Sequence, residues 1–398
     1  MNTGGRTGTA AGAAPTLEDV ARAAGVSRAT VSRVVNGVRN VDPAIRGAVQ
    51  RAVAATGYVP NRAARSLVTR RSGAVALVVS GAGRDEGAAG VFQDPFFGRV
   101  VGAVVHALRP SGVHPVLMFA DSASDREQVL AHLGQGGADG ALLVTTHPED
   151  PLPALLAEAA LPAVLFARPA AGAPPVDCVD LRHREGGALA ARHLLGSGRR
   201  RLVAIGGPGR VAASRDRVGG FREVAGPALL RVAEADFTLA AGETAMRTLL
   251  AEHPRLDGVF AANDLMAQGA CLVLREHGRR IPEDVAVVGF DDSSAATACR
   301  PTLTTVRQPV EEMAAEMVRL LLDRLAGPQG TPEPAVGPAP ADTAPADTGP
   351  DGGGPDGGGP DGGGPDGGGP DGGGPVEPVA VGPRTVLFAP SLIVRDSA

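Results

Sequence analysis

Residues 16–37 read TLEDVARAAGVSRATVSRVVNG, a spacing that predicts two short helices joined by a tight turn. Thr16 offers a hydroxyl N-cap three residues ahead of the Asp19 carboxylate, after which Val20, Ala21 and Ala24 recur on one helical face until Gly25. Ser27 can cap a second helix running to about Asn36. Its apolar residues Val31, Val34 and Val35 fall on one side, while Arg28, Ala29, Ser32, Arg33 and Asn36 stay outside. Asp42 followed by Pro43 starts a third helix that reaches Gly57. A helix-turn-helix needs a small residue before its turn, a glycine within it and apolar side chains beneath it. Ala21, Gly25, Val26, Val31 and Val34 fill those places under an arginine-rich outer face, so DNA binding is expected.

Charge is segregated in the same sense. Residues 1–72 carry eleven Arg against Glu18, Asp19 and Asp42, a formal +8, whereas residues 327–383 carry nine acids and no base. The remainder is −4, which brings the whole chain to −5. A basic head on a near-neutral body suits a polyanion partner. A solvated charged face would carry the same charge, so the helical spacing and not the charge decides the matter.

A length of 398 residues implies two to three domains. All 38 basic residues are Arg, which excludes Schiff-base enzymes, Walker-A phosphate loops and Tyr-Lys proton relays. Cys178, Cys271 and Cys299 are too scattered for a zinc knuckle or redox pair, and an odd number suits a reducing compartment. No run of 18 apolar residues and no signal peptide is present, so a cytoplasmic protein with no membrane partner is expected.

From Ala74 onward, short apolar runs alternate with helical stretches: AVALVVS, PVLMFAD, GALLVTT, AVLFARP, RLVAIGG, GVFAAND and VAVVGFDD. Strands buried on both faces by helices look continuously apolar, so this is a parallel-sheet pattern. Seven units exceed one doubly wound sheet. Two lobes are therefore expected, divided near Pro169, with the chain returning near Pro301. Ligands of open parallel sheets bind at the C-terminal ends of strands, hence in the cleft between lobes. Gly81-Ala-Gly83 is a poor dinucleotide signal because the next glycine, Gly87, comes one position late. No HExxH pair or GxSxG elbow occurs, and the sole Tyr, Tyr58, lies in the basic head. No enzyme activity, cofactor or metal is expected. Pro-Asp-Gly-Gly-Gly repeats five times from Pro350 to Gly374, and nothing there can bury a core.

The run quoted above, with VDPAIRGAVQRAVAATGYVPNRAARSLVTRRS after it, resembles the headpiece of the lactose-repressor/galactose-repressor (LacI/GalR) family of bacterial transcription regulators. The resemblance implies a dimer on a palindromic operator, each second helix in a major groove and a short hinge helix folding on the DNA. Arg28 then suits bidentate readout of guanine, and Ala29 suits a thymine methyl or simple clearance. Thr16, Ser27, Thr30, Ser32, Arg33 and Asn36 suit phosphates and further base edges, although Thr30 and Ser32 would also serve helix solubility. Asn61 to Val68 resembles the family hinge helix, with Asn61 at its start on the DNA, in which Leu67 would wedge into the minor groove while Arg62, Arg65, Arg70 and Arg71 lie near enough to neutralise phosphates.

The resemblance continues through the body to about Gly327 and resumes in RTVLFAPSLIVRDSA, which resembles the family's last strand. It implies a sugar-binding fold of periplasmic type, with Phe97, Arg168, Arg217, Phe237, Asn263 and Asp291 lining an effector cleft. Polar members would bracket hydroxyls or a carboxylate, and the two Phe would face a ring. For Asn263 and Asp291, capping of the following helix is the competing role. Where many members carry Asp before Arg, this chain has Ala167 before Arg168.

The expected organisation is a disordered N-terminus (1–14), an all-α helix-turn-helix headpiece (15–60), a hinge (61–72) and a two-lobed α/β effector and dimerisation domain (73–326 and 384–398). A disordered insertion (327–383) interrupts the last. The expected partners are operator DNA, a sugar-like effector and a second copy of the chain. The direction of control, induction or corepression, stays open. So does a small-molecule-binding protein with no operator function.

Overall fold

The computed structural model describes residues 15–35, 41–59, 71–80, 94–145, 149–168, 175–327 and 382–398. The chain divides into two units, Met1–Leu325 with Pro383–Ala398, and Ala326–Gly382. The head and the strands of both sheets lie in the first.

Three helices form the head: α1 (Leu17–Ala24), α2 (Arg28–Val35) and α3 (Pro43–Thr56). Each begins where a polar side chain takes up backbone N–H groups left orphaned by the first turn. Thr16 and Asp19 make a reciprocal capping box, the Ser27 hydroxyl accepts from Thr30 N at 3.2 Å, and Asp42 accepts from Ala44 N at 2.7 Å. Gly25 closes α1 at φ 67°, a left-handed conformation that glycine adopts without a Cβ penalty. Val20, Ala21, Val31, Val49 and Ala52 are buried together, so the predicted inner faces meet as expected.

The body holds two six-stranded sheets. The first is built from β1 (Ala74–Ser80), β2 (His114–Ala120), β3 (Ala141–Thr145), β4 (Ala163–Phe166), β5 (Asp177–Leu181) and β11 (Thr385–Phe388). Its order is β11-β5-β4-β3-β1-β2, all parallel. The second is built from β6 (Leu202–Gly206), β7 (Leu229–Glu234), β8 (Gly258–Ala261), β9 (Ala286–Asp291), β10 (Thr304–Arg307) and β12 (Ser391–Ile393). Its order is β12-β10-β9-β8-β6-β7, parallel except where β12 runs against β10. The helices relevant here are α4 (Pro95–Leu108), α7 (His183–Gly196), α8 (Ala212–Ala225), α10 (Asp264–Glu276) and α12 (Val310–Ala326). Their neighbours α5 (Ala123–Gly134), α6 (Leu152–Glu158), α9 (Leu239–Glu252) and α11 (Ser294–Ala298) complete the layers.

Two expected boundaries move. The first lobe does not end near Pro169, because β5 still pairs with β4, and the chain crosses only where β5 runs into α7. The return is not near Pro301, because β10 pairs with β9; it falls at Gln308 and Pro309, before α12. The final stretch is two strands, one in each sheet. Three chain segments therefore cross between the lobes.

Beyond the crossing, α7 and α8 meet backbone to backbone. A Cβ on Gly187 would stand 1.9 Å from the Arg217 carbonyl oxygen, and one on Gly220 would stand 1.8 Å from that of Arg184. Glycine at both positions lets Arg217 lie against the start of α7. Among the described residues no helix is long and apolar enough to cross a membrane.

Candidate functional site

On the head, Arg28, Ala29 and Arg33 are exposed along the outer face of α2, and Thr30 and Ser32 are half-buried. Among the described residues Arg28 meets only Glu18, at 3.5 Å, with both side chains about two-thirds exposed at 68% and 66%. A surface pair of this kind is worth roughly 0–1 kcal/mol, so it yields readily to a nucleic-acid oxygen. Arg33 makes no ion pair among the described residues. The hydroxyls of Thr16, Ser27 and Thr30 are engaged locally: Thr16 donates to Asp19 at 2.8 Å, and Ser27 and Thr30 share a hydrogen bond of 2.9 Å. Asn36, Asn61, Arg62, Arg65 and Leu67 lie outside the described residues.

In the body, four of the six expected effector residues come together at strand ends. Arg217, on α8, is buried and donates from Nη1 to Asp291 Oδ1 at 3.1 Å and to the Ala262 carbonyl at 2.6 Å. Its guanidinium lies 3.9 Å from the Phe290 ring centroid, a cation–π contact that favours the charged form in a dry setting. Asn263 caps α10 by accepting from Met266 N at 2.9 Å and donates from Nδ2 to the Phe237 carbonyl at 2.8 Å. Of the two roles foreseen for Asn263, the geometry shows the helix cap. The Phe237 ring covers Gly207, where a Cβ would stand 2.1 Å from it.

Backbone strain marks the same place. Phe237 (φ 73°), Asp291 (φ 107°) and Asp292 (φ 54°) all take positive φ without being glycine. Such conformations cost on the order of 1–3 kcal/mol each and gather at ligand sites.

Carboxylates crowd Arg217. Burial pushes the Asp291 carboxyl up to about 6, with Arg217 opposing the rise and Asp94 adding to it. Burial also raises Asp94, which Arg217 and Asn263 draw back down. Asp94 caps α4 by accepting from Phe96 N at 2.9 Å, and sequence reading missed it because an Asp-Pro pair reads as a helix start alone. Arg99, also on α4, spans the lobes: it donates to the carbonyls of Asp291 and Asp292 at 2.9 and 3.2 Å and pairs with Glu311 at 2.9 Å.

The other two expected residues sit apart. Phe97 packs edge-on to Phe96 at 5.3 Å, and Phe96 on Phe166 at 5.7 Å, an aromatic wall of the first lobe. Arg168 donates to Asp180 at 2.5 Å and Asp216 at 2.7 Å, and reaches Arg217 only through Asp180 and His183. With His183, Arg184 and Glu223, it borders a cavity of about 560 Å³. Among the described residues no group of His, Cys, Asp and Glu could hold a metal.

Residues 16–61 match the family described as bacterial regulatory proteins, lacI family, and residues 191–342 match a periplasmic binding protein-like domain. The HTH-type transcriptional regulator CelR of Thermobifida fusca is 47% identical over 320 residues, 79% of this chain and 92% of that one. The solved CelR–cellobiose complex is 37% identical, with a TM-score of 0.64 over 96% of this chain and all of that one. The lac repressor dimer bound to operator and the anti-inducer ONPF shares the fold at a TM-score of 0.68 and 23% identity, over 96% and 98% of the two chains. The head, the two-lobed body and these likenesses agree: the chain belongs to the lacI family of bacterial regulatory proteins and is a DNA-binding transcriptional regulator.

Proposed function

We propose that the protein is a homodimeric repressor whose grip on a palindromic operator is set by a neutral sugar in the interlobe cleft. The observation that carries this reading is the cluster of buried Arg217, Asp291 and Asn263 with half-buried Asp94 at the strand ends. Guanidiniums of Arg217 and Arg99 meet the carboxylates of Asp291 and Asp94 there, so the charges offset one another and neither an anionic nor a cationic effector is singled out. Hydroxyl groups, which donate and accept, suit both kinds of partner. Cellobiose, which is bound in the solved CelR–cellobiose complex, has that chemistry.

The dimer reading is supported by the edge of the first sheet. There β2 exposes Leu117 (41%) and Val116 (36%), and α4 exposes Val105 (46%). Coupling between cleft and operator typically amounts to about 1–3 kcal/mol in such switches. The hinge expected at Asn61 to Val68 would transmit it, with Asn61 at its start on the DNA, Arg62 and Arg65 on phosphates and Leu67 in the minor groove.

Selection from a random-sequence DNA pool with the full chain should return an inverted repeat. Its affinity should fall steeply with salt as phosphate counterions are released and change on adding cellobiose. Arg28→Ala should cost roughly 1–3 kcal/mol and relax preference at one base pair per half-site. Equal affinity for selected and random duplexes at cellular salt would sink the reading.

A further inference from the structure

We propose that His183 is a positioning residue of the effector cleft, an uncharged imidazole that aims Arg217 at the ligand and ties that aim to the first lobe through Asp180. The inference rests on the cleft being the effector site. It begins from two hydrogen bonds on one ring. Arg217 Nε lies 3.2 Å from His183 Nδ1, and His183 Nε2 lies 3.3 Å from Asp180 Oδ1.

The partners assign the tautomer. A guanidinium Nε has a hydrogen and no acceptor capacity, so Nδ1 must accept; the ring proton then sits on Nε2, where a carboxylate receives it. An imidazolium would set N–H against N–H at Nδ1. Burial, and after it the Arg217 charge, lower the ring's affinity for a second proton, with Asp180 and Asp216 opposing. The charged groups that face the ring are Asp180 from β5 and Arg217 and Asp216 from α8, while β9 contributes the uncharged Phe290 ring at 6.1 Å.

The consequence lies in the planar guanidinium. Nε is fixed by His183, and Nη1 by Asp291 and the Ala262 carbonyl, so Nη2 is the one nitrogen with no hydrogen-bond partner among the described residues. Holding two of the three nitrogens of a rigid plane sets where the third points. Asp180 in turn accepts from Arg168 at 2.5 Å, and burial, which alone would raise its carboxyl, is outweighed by His183 and Arg168. His183 also opens α7, at the crossing from β5. A change of angle between the lobes therefore moves Asp180 against Arg217 and is felt at the ring between them.

The test uses the full chain with ring-labelled histidine and cellobiose as the probe. Long-range proton–nitrogen spectra should show His183 as the Nε2–H tautomer from pH 8 to pH 6, its Nδ1 shifted as an acceptor. A charged ring or the Nδ1–H tautomer overturns the proposal whether or not any sugar binds. His183→Phe, which fills the space without nitrogen, should weaken cellobiose binding at least about tenfold. His183→Asn, whose Oδ1 stands near the Nδ1 position, should return affinity to within about threefold of the parent. Equal affinity in all three proteins overturns the proposal. If the parent itself does not take cellobiose, the sugar reading of the cleft falls, and the spectra alone decide the role of His183.

Discussion

Arg217 Nη1 stands 3.1 Å from Asp291 Oδ1 while the two side chains are only 8% and 7% exposed. An ion pair so far from water is costly to break by halves. Removing one partner of a buried pair costs about 3–5 kcal/mol because the other charge stays uncompensated, whereas replacing both by apolar residues is often neutral. Arg217→Met should therefore lower the denaturation midpoint sharply, and adding Asp291→Leu should recover part of the loss. Recovery stays partial because Gln308, which donates to Asp291 at 2.5 Å, loses its partner and because a leucine is strained at the φ of 107° that Asp291 adopts. Neither variant should respond to cellobiose. A double variant no more stable in urea than Arg217→Met would show that the pair is not the source of the cost.

What could be read from the chain follows locality. The caps at Thr16, Ser27 and Asp42 act within three residues, so sequence shows them directly. Strands β5 and β10 escaped because they bury polar residues whose partners lie far along the chain. Asp177 is satisfied by Arg324 and Arg384, and Thr304 by Ser397 and Arg395. The lobe boundary near Pro169 failed for the same reason, since DCVDL does not look apolar. The grouping of Arg217, Asn263 and Asp291 was expected through resemblance, whereas no motif singled out His183. Its role exists only once α7 meets α8.

Asp264 should give stability a measurable pH dependence. It is buried and accepts from Ser293 N at 2.7 Å and Thr305 Oγ1 at 2.6 Å. Burial, and then the neighbouring Asp291 charge, push its carboxyl up to about 8 from an ordinary 3.8. A raised carboxyl binds its proton more tightly in the folded state, so the stabilisation is complete below the unfolded value and is lost as pH rises through the folded one. Asp291, raised to about 6, acts in the same direction over a narrower window. Asp264→Asn has no proton to lose there. Its melting temperature relative to the parent should climb from pH 5 to pH 8, and a constant difference across that range would remove Asp264 as the cause.

The contact of α7 with α8 makes a second structural prediction. Gly187→Ala would force a methyl to within 1.9 Å of the Arg217 carbonyl oxygen, a backbone atom that cannot step aside. Such overpacking typically costs about 1–3 kcal/mol, and because it displaces Arg217 it should also weaken cellobiose binding. Gly196, on the same helix, has nothing within 4 Å of its added Cβ and no positive φ. Gly196→Ala should therefore be neutral or stabilising by up to about 1 kcal/mol through the unfolded chain. If both variants melt together, the close approach of the helices is not real.

The proposed dimer would place its interface at the edge of the first sheet. β2 pairs with β1 on one side alone, and its outer residues Val116 and Leu117 are exposed beside Val105 of α4. An edge strand with apolar side chains outward invites pairing with another copy unless charge blocks it. Leu117→Arg places a permanent charge at that edge, on a side chain already 41% exposed. Sedimentation at micromolar concentration should then show a monomer where the parent is a dimer, with the ligand-free melting curve of the lobes little changed. Operator affinity should fall with it, because a single headpiece holds one half-site and gives up the other. A Leu117→Arg protein that stays dimeric would move the interface to another face of the body.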